Sequence, residues 1–177
     1  MSYGVMIPVA IAATNVDAWN RSCISQTTDL ENGGLCALLT KSSTTGEAEL
    51  WTATVPATAD IMKDWIVYDP ELVWTSSYRG LDPDVRNYYV VTGRTFSAFK
   101  PFVGDLLLMD ADCFTGAKGV NTFANATNAQ VQFVWGATQS ASCIALSYVA
   151  TQYISIGTGA MDNQRVTAYL MEVIPQT

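Results

Sequence analysis

The stretch Gln130-Val131-Gln132-Phe133-Val134-Trp135 decides how the chain reads. Val131, Phe133 and Trp135 share one face of an extended segment, while the two Gln and Val134 take the other. That is the period of two expected of a strand with one face in a core. The same rhythm recurs outward in both directions. From Cys143 to Ala150, Ile144, Leu146 and Tyr148 share a face, with smaller residues opposite. Leu35 to Lys41, Glu47 to Val55, Trp65 to Tyr68, Asn87 to Thr92, Thr95 to Phe99 and Asp105 to Met109 are further predicted strands. Most are rich in β-branched and aromatic residues, which suit a pleated surface.

Turn chemistry separates these segments: Asn32-Gly33-Gly34, Ser42 to Gly46, Asp69-Pro70, Leu81-Asp82-Pro83-Asp84, Lys100-Pro101 and Gly157-Thr158-Gly159. Glycine supplies positive φ and proline fixes φ, which turns need and strand interiors exclude. Strands spaced by about 8–12 residues predict an all-β fold, a single β-barrel or β-sandwich domain. At most one short helix is expected, around Ala57 to Asp64. Residues 1–34 read as an extended N-terminal arm or connection, with membership of the same domain left open, and residues 35–177 as the barrel or sandwich. Residues 116–129 read as a loop.

Composition bounds function. A chain of 177 residues fits one domain and buries roughly 70% of its unfolded surface, so a core needs no disulfides. Charged residues are 14% of the chain against a usual ~25%. Such a surface is either covered by partners or carried by Thr, Ser, Asn and Gln. The net charge is −7, and no two of the nine bases are adjacent. Phosphate recognition needs clustered Lys and Arg, so direct nucleic-acid binding is not expected.

Cys23, Cys36, Cys113 and Cys143 have no metal-ligand spacing and are expected as free thiols made in a reducing compartment. The apolar start, Tyr3 to Ala13, has no base before it, as a secretory signal requires, and is too short to span a bilayer. A soluble protein made in the cytoplasm, without membrane contact, is the expectation.

The chain contains no histidine. That excludes Ser-His-Asp and Cys-His nucleophile systems and His-containing zinc sites. Asp110-Ala111-Asp112 offers two carboxylates, but the next loop position that must supply an oxygen is Phe114. Both aspartates are expected to end a strand. Gly157-Thr158-Gly159 lacks the third glycine and following helix of a dinucleotide loop and reads as a hairpin turn, and Gly116-Ala117-Lys118-Gly119 lacks phosphate-loop spacing. The tryptophans Trp19, Trp51, Trp65, Trp74 and Trp135 are dispersed, favouring core packing over a sugar-stacking platform. No enzyme activity, cofactor or metal is expected.

Two segments invite partners. In Arg165 to Ile174, Val166, Ala168 and Leu170 face one way, and Tyr169, Met171 and Val173 the other. The strand must be covered on both faces, either as a central strand or at an interface through Tyr169 and Met171. At the other end, Tyr3, Val5, Ile7, Val9 and Ile11 alternate in an uncharged stretch before Trp19. It is either an arm that adds to a neighbour's sheet edge or an ordinary first strand.

The segments Trp65 to Val73, Tyr78-Arg-Gly-Leu-Asp-Pro-Asp-Val-Arg-Asn-Tyr88, Phe96 to Asp105, Tyr153 to Ala160 and Arg165 to Val173 together resemble small virion proteins of tailed bacteriophages that decorate or cement the head. The resemblance spans residue 60 to the end and consists of strands and turns. It implies a β module on the capsid exterior, bound to the major capsid protein and to copies of itself, often as a homo-oligomer. A tail-tube, connector or fibre protein, or a lectin-like binding module, are the alternatives.

Overall fold

The computed structural model describes residues 3–43, 46, 48–58, 63–69, 84–159 and 162–175. Among them the chain is all-β, and its longest helix is a single 3₁₀ turn of four residues, Ala12–Asn15. Two layers form. One is a closed five-stranded barrel of β2 (Asn20–Ser25), β4 (Leu50–Thr54), β3 (Leu35–Lys41), β5 (Asp64–Val67) and β6 (Thr95–Phe99), in that order around the ring. β2 closes it, pairing parallel with β4 and antiparallel with β6.

The other layer is a seven-stranded sheet. Its order is β1 (Met6–Ala10), β7 (Leu106–Asp110), β12 (Asp162–Ile174), β11 (Ala145–Gly159), β9 (Phe123–Asn125), β10 (Phe133–Gly136) and β8 (Phe114–Thr115).

Alternation along the barrel strands sorts residues between two cores. Cys23, Cys36, Ala53, Val67, Phe96 and Ala98 point into the barrel. Several of these are small, as a narrow five-stranded interior requires. Tyr88, Leu30 and Val90 join this core, and Leu30 and Val90 form an isolated β-bridge. The neighbouring positions Leu35, Ile66 and Phe99 face outward, into the layer shared with Met6, Leu107, Met109, Phe133, Leu146, Met171 and Val173 of the sheet. A third cluster of Val5, Leu108, Ile154, Ile156 and Ala168 lies apart from that shared core, with Val85 packed against it. The segment carrying Val85 is tied down there: Tyr3 N donates to Arg86 O at 2.8 Å, and Arg86 Nη2 to Gln164 Oε1 at 2.9 Å.

Residues 1–34, read from sequence as an arm or connection with membership of the same domain left open, hold two strands among the described residues. β1 pairs antiparallel with β7, while β2 is a barrel stave, so this segment gives one strand to each layer. β2 was hidden because its buried positions are Cys23 and Ser25, small residues that make no hydrophobic pattern. Asn87 to Thr92, expected as a strand, instead holds the end of a 3₁₀ turn (Val85–Asn87) and the bridge at Val90. The expected loop at 116–129 contains β9. Of the expected helix, residues 59–62 lie outside the described residues, and Asp64 begins β5. The hairpin turn expected at 157–159 is displaced, since β11 runs on to Gly159.

Candidate functional site

Three backbone segments converge where the barrel meets the sheet, and most of the buried polar groups gather there. The loop from β2 to β3 brings Glu31 and Asn32, the N-terminus brings Gly4 and Val5, and the end of β7 brings Asp110 and Cys113. Glu31 Oε2 accepts from Gly4 N at 2.9 Å. Asp110 Oδ1 accepts from Val5 N at 3.1 Å and from Cys113 N at 3.2 Å, so the aspartate ends β7 and caps the next 3₁₀ turn. Asn32 locks onto the backbone of Asp69 twice, donating to its O at 3.0 Å and accepting from its N at 2.9 Å. Tyr88 Oη donates to the Asp69 carboxylate.

The approach is too close for side chains at three places. A Cβ on Gly4 would lie 2.7 Å from Cys113 Sγ, one on Gly33, at φ +77°, 2.9 Å from Met6 Cβ, and one on Gly34 2.6 Å from Val131 Cγ1. Glycine is required at all three.

Burial sets the ionisation of this cluster. It pushes the Asp110 carboxyl up to about 6, against hydrogen bonds from Val5 and Cys113 that pull it down. Glu31 is raised for the same reason. Asp110 Oδ2 is buried without a hydrogen-bond partner. The Cys113 thiol, fully buried 3.4 Å from Asp110 Oδ1, is raised well above its ordinary value, which keeps it protonated and non-nucleophilic. The cluster can exchange a proton and hold three segments together. Among the described residues, no three His, Cys, Asp or Glu side chains are gathered to hold a metal ion.

The outer surface offers a different geometry. β11 and β12 form a hairpin of 15 and 13 residues. Among the described residues its neighbours cover only the base: β9 pairs with Ala145 to Ser147, and β7 with Ala168 to Glu172. Beyond the base, β11 and β12 pair with each other alone among the described residues. Ile154 and Ile156 on one face are buried in the third cluster, while Tyr153 on the other is 54% exposed, under the Arg165 guanidinium 4.2 Å from its ring centroid.

The residues singled out from sequence as partner contacts divide sharply. Met171 is fully buried, and Tyr169 packs edge-on against Trp135 and Phe114, because β12 is the central strand between β7 and β11. Met171 belongs to the core and Tyr169 is partly buried against it, so this strand takes the central place that was one of its two readings. Val5 is buried as well, and Tyr3 stacks on Tyr89 with centroids 4.6 Å apart. Trp19 packs tilted against Phe102, with ring centroids 4.0 Å apart. Of the residues singled out, only Ile7 (42%) and Val9 (53%), both on β1, are exposed, and Val9 borders a shallow groove with Val103. Trp74 lies outside the described residues.

Compared with protein-family models, curated proteins and solved structures, the chain matches none. Its reading therefore rests on its own geometry. Sequence reasoning missed Glu31 and Asn32, which sit in a polar stretch without periodicity. The available signal was their place before Gly33-Gly34, where glycines mark close backbone approach.

Proposed function

We propose that this chain is a non-enzymatic structural protein of a tailed-bacteriophage virion, decorating or cementing the capsid exterior after synthesis in the bacterial cytoplasm. Its partners in this reading are the major capsid protein and copies of itself. The observation that carries the proposal is the β11–β12 ribbon, which runs past the strands flanking its base and is anchored on one face only. A ribbon of this kind supplies contact area across neighbouring subunits without any chemistry. Stable contacts need roughly 1,600 Å² of buried surface, and repeated contacts on a lattice multiply their effect through avidity. The exposed Ile7, Val9 and Val103 add apolar surface at another edge. The buried carboxylates and thiol at the junction support a non-reactive interior, since backbone groups from three segments close around them.

A second reading, another virion component such as a tail-tube protein, draws on the same ribbon. A strand with a free edge can hand its sheet on to the next copy, which favours rings. Quantitative mass spectrometry of purified virions encoded with this gene tests both. Copies in proportion to the major capsid protein support decoration, and copies in proportion to tail components support the second reading. Absence from particles overturns both.

A further inference from the structure

A strand edge presents unpaired N–H and C=O groups, and proteins guard such edges against unwanted pairing. The two ends of the seven-stranded sheet are guarded. In β1, Pro8 lacks an N–H and the register slips between Pro8 and Ala10. At the far end β8 is only two residues long.

The edge of β11 is different. After Ser147 leaves β9, and Tyr148 N donates to Thr122 O, β11 has β12 on one side and, among the described residues, no strand on the other. Register shifts at Tyr148/Ala150 and Gly157/Gly159 bound a regular run, Ala150-Thr-Gln-Tyr-Ile-Ser-Ile156. It contains no charge and no proline. Ile154 and Ile156, buried beneath it, hold the strand in place.

We propose that this edge pairs antiparallel with the same edge of a second copy, with Tyr153 on the twofold axis. A twofold contact sets each side chain against its own segment, so a charge near the axis would meet its like. Here none does. Tyr153 meets Tyr153, Thr151 meets Ser155, Gln152 meets Ile154 and Ala150 meets Ile156. Aromatic pairs and Thr–Ser pairs are favourable across strands. The nearest base, Arg165, sits on β12 opposite Ser155. Its guanidinium lies over the Tyr153 ring, 4.2 Å from the centroid, so each copy holds its Arg165 charge on its own tyrosine. A charged peptide would find no complementary charge on this run to read.

The inference deepens the self-association in the proposed function, but the dimer needs no virion component to form. Sedimentation velocity on the purified full chain reads it directly, with a concentration-dependent dimer expected. Tyr153→Lys sets two ammonium groups across the axis and weakens the dimer about tenfold or more, while Tyr153→Phe keeps it. Tyr153→Cys, treated with copper phenanthroline as oxidant, gives a disulfide-linked dimer, and Val103→Cys does not. Should the Lys variant fail to fold, the Cys pair decides alone. A monomer at every concentration, or a dimer indifferent to Tyr153→Lys and not cross-linked through residue 153, overturns the inference. Neither result touches the virion role, which particle composition tests separately.

Discussion

Replacing Asp110 with Asn separates the charge of the buried junction from its shape. The carboxyl is fully buried, and its ordinary value of 3.8 is raised to about 6 in the fold. Below the lower value both folded and unfolded chains carry the proton, and burial costs nothing extra. As pH rises through the window, the unfolded chain releases its proton first, so the folded state loses stability until both are ionised above pH 6. The gap between 3.8 and about 6 corresponds to about 3 kcal/mol, at about 1.4 kcal/mol per pH unit.

The amide introduced by Asp110→Asn keeps an oxygen to accept from Val5 N and Cys113 N but cannot ionise. Any cost of burying that amide is the same at every pH, and the raised Glu31 is common to both proteins. Urea unfolding of both proteins from pH 3.5 to 7 therefore gives a difference that moves in favour of Asp110→Asn by about 3 kcal/mol as pH rises. A difference independent of pH, or one that moves against the variant, refutes the assignment of Asp110 as a buried acid with a raised pKa.

Two further outcomes test the junction and the interior. Asn32→Ala strips two partners from the buried backbone of Asp69, and a loss of about 2–4 kcal/mol in urea unfolding is expected; a change within about 0.5 kcal/mol would mean the lock contributes nothing. Burial pushes the Cys23 thiol up to about 12, and Cys36 and Cys113 are raised well above their ordinary values. An aromatic disulfide reagent should label only the half-buried Cys143 quickly in the native protein, and the other three only on unfolding; fast labelling of Cys113 would contradict the closed junction.

The strands that were legible in the sequence are those whose buried face is built from large side chains. Leu35–Lys41 and Thr95–Phe99 have the predicted bounds because apolar alternation starts and stops at turn residues. Phe133 and Trp135 face the core together, as their spacing requires. β2 and β9 were illegible for opposite reasons: β2 buries Cys23 and Ser25, which carry no hydrophobic signal, and β9 is three residues long. β11 was underestimated because Gly157 and Gly159 look like a turn, although the strand carries them past a register shift.

The junction was half legible. Asp110 ends its strand as expected, whereas its partners at Gly4, Val5 and Glu31 come from segments distant in the chain, which only the topology brings together. The final strand shows the same limit: its two apolar faces signalled double coverage, but not that the cover is the chain's own core.

Cryo-electron microscopy of purified virions encoded with this gene tests the central claim most directly. The account predicts ordered β density matching the barrel and ribbon on the outside of the icosahedral shell, in contact with the major capsid protein. Bare shells, with this density confined to the tail or absent from the particle, would contradict it.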